Sequence, residues 1–166
     1  MSRFLTYLFI VTCVIHCITA SCHRYRCCPP WLLQNSSCYL FIPNMKKSFL
    51  EAETFCQNYS TSQRSAHLIS VTSEEENLFL KSYVAKVLGP RYLPYYLWIG
   101  YNDIEVSGTF VWTDGATGSY QDFADDEQPN AYPNEDCVAL NKLQKWGDLQ
   151  CRYQYEFVCK KPAGFY

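Results

Sequence analysis

The chain of 166 residues predicts an α+β domain stapled by disulfides, with two helices, two small antiparallel sheets and a long irregular loop region. Three observations carry this expectation. Ten cysteines follow or fall within what looks like an export signal. Two stretches repeat apolar residues at helical spacing, and the remainder sets short apolar runs between turn residues.

Residues 1–20 read as a signal peptide. Arg3 gives a positive start, residues 4–18 are an apolar run, and Thr19-Ala20-Ser21 offers small residues for cleavage after Ala20. About 15 apolar residues fall short of the roughly 20 that span a bilayer; a retained signal anchor is the rival reading. No later stretch is apolar enough for a membrane span, so the expectation is a secreted, extracellular protein. Residues 21–36 form a cysteine-rich lead-in and the start of a hairpin, and residues 37–162 form the domain.

Cys13 and Cys17 depart with the signal. Cys22, Cys27, Cys28, Cys38, Cys56, Cys137, Cys151 and Cys159 remain, an even number for an oxidising compartment. Eight cysteines allow on the order of 100 pairings, among which spacing alone does not choose. Cys22-His23 with Cys27-Cys28 imitates a zinc grouping, but the secretory context favours disulfides. Asn35-Ser36-Ser37 and Asn58-Tyr59-Ser60 are glycosylation sequons.

Along the domain, residues 38–42 have strand composition and Pro43-Asn44 ends them. Residues 48–59 are helical by period, with Phe49, Ala52, Phe55, Cys56 and Tyr59 on one face and Glu51, Glu53 and Gln57 on another. Residues 67–71 form a strand. Ser73 and Glu76 predict a capping box for a second helix that runs to about Leu88, with Leu78, Phe79, Val84 and Val87 as its apolar face. Gly89-Pro90 stops it. Strands follow at 97–99, 110–112, 137–140 and 157–159, with a turn at Asp114-Gly115. Between Thr113 and Asp136 the pattern is irregular, and a loop of that length needs something to hold it; disulfides and a bound ion are the expected means.

Charge narrows the function. Lys and Arg number 14 against 16 Asp and Glu, and losing Arg3 leaves a net charge near −3. No basic stripe appears, so nucleic acid is not an expected partner. From Arg91 to Lys142 there is no other basic residue, while Asp103, Glu105, Asp114, Asp122, Asp125, Asp126, Glu127, Glu135 and Asp136 crowd together. A cation or solvent must relieve that repulsion.

Seven motifs then occur in order: Cys-Pro-Pro-Trp at 28–31 with Cys38-Tyr39, Trp98-Ile99-Gly100 with Asn102-Asp103, Phe110-Val111-Trp112-Thr113-Asp114-Gly115, Gln128-Pro129-Asn130, Glu135-Asp136-Cys137, Trp146-Gly147-Asp148 and Phe157-Val158-Cys159. Together they resemble the C-type lectin-like domain family across essentially the whole mature chain. The resemblance implies disulfides Cys56–Cys159 and Cys137–Cys151, worth roughly 4–5 and about 3 kcal/mol on a chain-entropy argument. It also implies that Cys38 pairs with Cys27 or with Cys28. The one left over would pair with Cys22 or bridge to a second chain; a homo-oligomer, disulfide-linked or non-covalent, is among the expected partners.

The resemblance further implies a Ca2+ site. Gln128, Asn130, Glu135 and Asp148 match the ligand positions, with Pro129 expected in cis, and Gln128, Asn130 and Glu135 match the sugar-binding ones. Calcium takes six to eight oxygen ligands, and Gly147 stands where the family's Trp-Asn-Asp motif supplies one more. Gln128-Pro129-Asn130 is a pair of amides and matches neither the mannose-type nor the galactose-type tripeptide. Of a second family site, Asp103 and Asp136 fit the pattern while Ser107 and Ala131 stand where acids would be expected, so those two acids are expected to serve as acceptors in turns. Trp146 is expected to be a core anchor.

The implied function is a carbohydrate-binding lectin, Ca2+-dependent, whose partner is a glycan or glycoprotein. The alternative is a Ca2+-independent protein-binding module of the same fold, for which Gly147 speaks and for which Tyr92, Tyr95, Tyr96, Tyr120 and Tyr132 are candidate contacts. An enzyme is not expected. The mature chain carries only His23 and His67, its cysteines have expected partners, and His67 beside Leu68 reads as a strand residue.

Overall fold

In the computed structural model, which describes residues 25–89, 96–125, 129 and 132–165, the short apolar runs become strands of one mixed sheet. In order the elements are β1 (Tyr25–Arg26), β2 (Leu32–Gln34), β3 (Ser37–Phe41), α1 (Phe49–Gln57), β4 (His67–Leu68), α2 (Glu74–Leu88), β5 (Tyr96–Asn102), β6 (Val111–Trp112), β7 (Cys137–Asn141), β8 (Trp146–Leu149), β9 (Glu156–Pro162) and β10 (Gly164–Phe165). The sheet runs β2-β3-β9-β5-β7-β8, with β4 on β9 and β6 on β5. Two antiparallel halves were expected, and both are present. They are continuous because β5 and β9 pair in parallel, Leu97 beside Glu156 and Trp98 beside Phe157. The lead-in is tied down as well, since β1 pairs with β10.

Strand side chains alternate between faces, and here each face has its own core. Tyr39, Phe41, Leu97, Ile99, Val138, Leu140 and Trp146 enter one cluster, which takes Leu80, Tyr83 and Val84 from α2. Cys38, Leu40, Trp98, Cys137, Ala139 and Phe157 enter the other, which takes Phe49, Ala52 and Cys56 from α1. The central strands are buried on both sides, so they read as unbroken apolar runs rather than alternating ones. Gly100 belongs to this packing: a Cβ there would lie 2.7 Å from Thr113 Oγ1 and 3.0 Å from the Leu68 carbonyl.

Both helix faces differ from the expected ones. On α1, Glu53 is buried rather than outward, because its carboxylate accepts from the Leu68 amide (2.8 Å) and from Gln57 Nε2 (2.7 Å), and lies 2.6 Å from His67 Nδ1. Phe55 is only half-buried and Tyr59 exposed. On α2 the inner face is Asn77, Leu80, Tyr83 and Val84, while Leu78 and Val87 are exposed. The polar Asn77 lies within that stripe and shifted the expected face by about one position. Ser73 caps α2 by accepting from the Glu76 amide at 3.2 Å. Glu76 does not return the bond to Ser73. It accepts instead from the Thr72 amide (3.2 Å), the Tyr39 hydroxyl (2.7 Å) and Lys160 Nζ (2.6 Å).

Three disulfides are formed among the described residues. Cys56–Cys159 ties α1 to β9, Cys137–Cys151 ties the start of β7 to the segment after β8, and Cys27–Cys38 closes the lead-in. Cys28 is exposed, and Cys22 lies outside the described residues. No helix among the described residues is long and apolar enough to cross a membrane.

Candidate functional site

Of the implied ligands, the two described ones, Glu135 and Asp148, lie before and within the β7–β8 hairpin. Its register sets Val138 opposite Asp148, Ala139 opposite Gly147 and Leu140 opposite Trp146. Its turn is held by Asn141 Oδ1, which accepts from the amides of Leu143 (2.9 Å) and Lys145 (3.1 Å). Asp148 is buried at 5% exposure on β8. Glu135 is half-buried, two residues before β7 begins. The two carboxylates thus lie toward the end of the hairpin that Cys137–Cys151 clamps. Gln128 and Asn130, and with them the expected cis bond before Pro129, lie outside the described residues. Gly147 is buried and offers only backbone. Among the described residues no three His, Cys, Asp or Glu side chains group closely enough to hold a metal ion.

Asp103 and Asp136 meet in a turn. The Asp103 amide donates to the Asp136 carbonyl at 3.0 Å, and Asp103 Oδ2 accepts from the Gly108 amide at 2.6 Å. Asp103 is 1% exposed and its Oδ1 has no partner.

Trp146 is fully buried. Its indole donates to Asn77 Oδ1 at 3.3 Å, and its ring packs edge-on against Trp112, Tyr120 and Phe123 at 5.7–5.8 Å. This cluster holds the described first part of the long loop, around residues 120–124. The loop backbone docks on β8 through Trp146 N–H to the Asp122 carbonyl (2.8 Å) and Ala124 N–H to the Trp146 carbonyl (3.0 Å). The Asp122 carboxylate accepts from Asn77 Nδ2 (2.7 Å), Lys81 Nζ (2.9 Å) and Lys145 Nζ. Burial pushes the Asp122 carboxyl up. The hydrogen bonds from Lys145, Lys81 and Asn77 outweigh this and hold it below the usual carboxylate range. Sequence reading missed the Asn77–Lys81–Asp122–Lys145 anchor. The signal was present as a polar Asn77 at helical spacing from Leu80 and Val84, with Lys81 one turn on.

Of the candidate interface tyrosines, Tyr92 and Tyr95 lie outside the described residues. Tyr96 packs on Tyr155 at 5.0 Å, and Tyr120 accepts from Asn77 at 2.9 Å. Tyr132 is 68% exposed. Both sequon asparagines are exposed, Asn35 in the β2–β3 turn and Asn58 at the end of α1.

The Lectin C-type domain family matches residues 45–161. An alpha-N-acetylgalactosamine-specific lectin of Patiria pectinifera is 36% identical over 146 residues, covering 80% of this chain and 82% of the relative. The solved C-type lectin CEL-I from Cucumaria echinata superposes with a TM-score of 0.76 at 26% identity, covering 84% of this chain and 99% of that one. A calcium-independent type II antifreeze protein superposes with a TM-score of 0.72 at 27% identity, covering 86% and 98%.

Proposed function

The chain belongs to the C-type lectin domain family, and on that premise we propose that it is a secreted carbohydrate-binding protein that uses Ca2+ held by Gln128, Asn130, Glu135 and Asp148. The observation that supports this most is the placement of Glu135 and Asp148 toward one end of the β7–β8 hairpin, with Gln128-Pro129-Asn130 shortly before Glu135 in the sequence. All four donors are oxygens, the chemistry a hard cation takes. When bound, the ion would offer coordination positions to a sugar diol. The protein's own part is to aim the donors: Asp148 is fixed by burial in β8, and Glu135 by the adjoining disulfide Cys137–Cys151. Two carboxylates among four donors give the site limited charge, which favours weak binding. Export through residues 1–20 agrees with three formed disulfides.

The test is retention on a panel of immobilised glycans with calcium and with chelator. Calcium-dependent retention that Glu135→Ala abolishes is the expected result. Retention that chelator leaves intact would contradict the role of the ion.

The second reading is a Ca2+-independent protein-binding module, favoured by Gly147, which removes a side chain from the middle of the implied donor run. On that reading no glycan is retained under either condition, and exposed groups such as Tyr132 carry the contact.

A further inference from the structure

A cavity of about 170 Å³ lies between the β2–β3 turn and the first turn of α2. All three residues of the first sequon, Asn35, Ser36 and Ser37, line it, together with Tyr39, Glu75 and Phe79. Gln34 pairs with Ser37, so Asn35-Ser36 is a two-residue turn with Asn35 at φ +52°, a conformation asparagine tolerates. This wall is fixed to the end of the chain, since the Ser36 carbonyl accepts from the Ala163 amide at 2.8 Å. The opposite wall carries Phe79, half-buried, its ring 4.7 Å from Tyr39 and stacked on Tyr83 at 5.7 Å. The Tyr39 hydroxyl is already committed to Glu76. Glu75 is exposed at the rim.

We propose that Asn35 carries an N-linked glycan and that its first N-acetylglucosamine folds back into this cavity, with its apolar ring face on Phe79 and its acetamido group toward Glu75. The volume supports a single sugar ring, being below the roughly 300 Å³ at which pockets for larger ligands begin. Covering the exposed part of Phe79 removes apolar surface from water. The modification is made by a host transferase from a polyprenyl-diphosphate-linked oligosaccharide. The Asn35 amide nitrogen bonds to the anomeric carbon as the carbon–oxygen bond to the diphosphate breaks, and the amide gives up one proton. The inference rests on the export reading of residues 1–20 and not on calcium or on sugar binding at the hairpin. Asn58 borders a separate groove with Leu50 and Phe55 and serves as the internal control.

The experiment expresses the full chain in a glycosylating secretory host and maps occupancy at both sequons by peptide mass. Nuclear Overhauser contacts are then measured on glycoprotein trimmed to one sugar per site. Occupied Asn35, with contacts from the apolar-face protons of its sugar ring to the Phe79 ring, is the expected result. The trimmed protein then melts about 2–4 °C above Asn35→Gln, and Phe79→Leu removes most of that difference. Empty Asn35 in the secreted protein overturns the proposal alone, whatever the state of Asn58, and failure of the chain to be secreted overturns it together with the export reading. An occupied Asn35 without contacts to Phe79, or with no melting shift on Asn35→Gln, also overturns it.

Discussion

Asp122 shows how a single side chain positions a loop rich in like charge. It gathers two lysines and an amide from α2 and the β8 turn, so one of the crowded acids is neutralised within the fold. Asp122→Asn is expected to lower stability by about 1–3 kcal/mol, read as a shift in the denaturation midpoint. The pH dependence has a definite sign. The folded carboxyl titrates below its unfolded value of about 3.9, so its contribution is whole above that value and is lost as pH falls through the folded one. Wild type should therefore lose stability more steeply than the variant as pH falls below about 4. Residues such as Asp122 were legible only as charge, because their partners Asn77 and Lys81 lie about 40 positions away. Glu53 escaped for a similar reason: an acid on a helix reads as outward until a buried amide, here that of Leu68, claims it.

At the scale of elements, the β7–β8 hairpin joins the core to the candidate site. Trp146 faces the α2 core, while Cys137 is locked to Cys151 at the end from which Glu135 departs. Replacing both cysteines with alanine is expected to cost about 3 kcal/mol and to weaken calcium binding, because Glu135 then loses its fixed approach. Chemical denaturation with a parallel calcium titration reads both. A variant that loses stability and keeps its affinity would show that the disulfide does not aim Glu135. Strand existence was legible from composition, as was the termination of α2 at Gly89. The β8 strand was not read as one, since Trp146-Gly147-Asp148-Leu149 combines a glycine and an acid and takes its extended form from pairing with β7. The α2 face was read one position off because a polar Asn77 occupies a place in the buried stripe where apolar spacing leads one to look for a hydrophobic residue.

Across the whole molecule, a mixed sheet carries one core on each face, and each core takes one helix. That arrangement accounts for the two helices and for both antiparallel halves expected from the sequence. The parallel β5–β9 pairing that joins them lies between segments more than fifty residues apart, and local pattern holds no trace of it. The candidate site was read as a set of motifs, and of the loop that carries part of it the described residues around 120–124 are held by packing on Trp146. The central claim is that this fold still presents a calcium site despite Gly147. The most direct measurement is a calorimetric titration of calcium into the folded protein and into Gly147→Asn, with melting curves to confirm that the variant folds. Saturable binding with a Kd of about 0.1–1 mM, tightened about tenfold in the variant, is the predicted result. Absence of saturable binding to the wild-type protein would contradict the account and leave the protein-binding reading in its place.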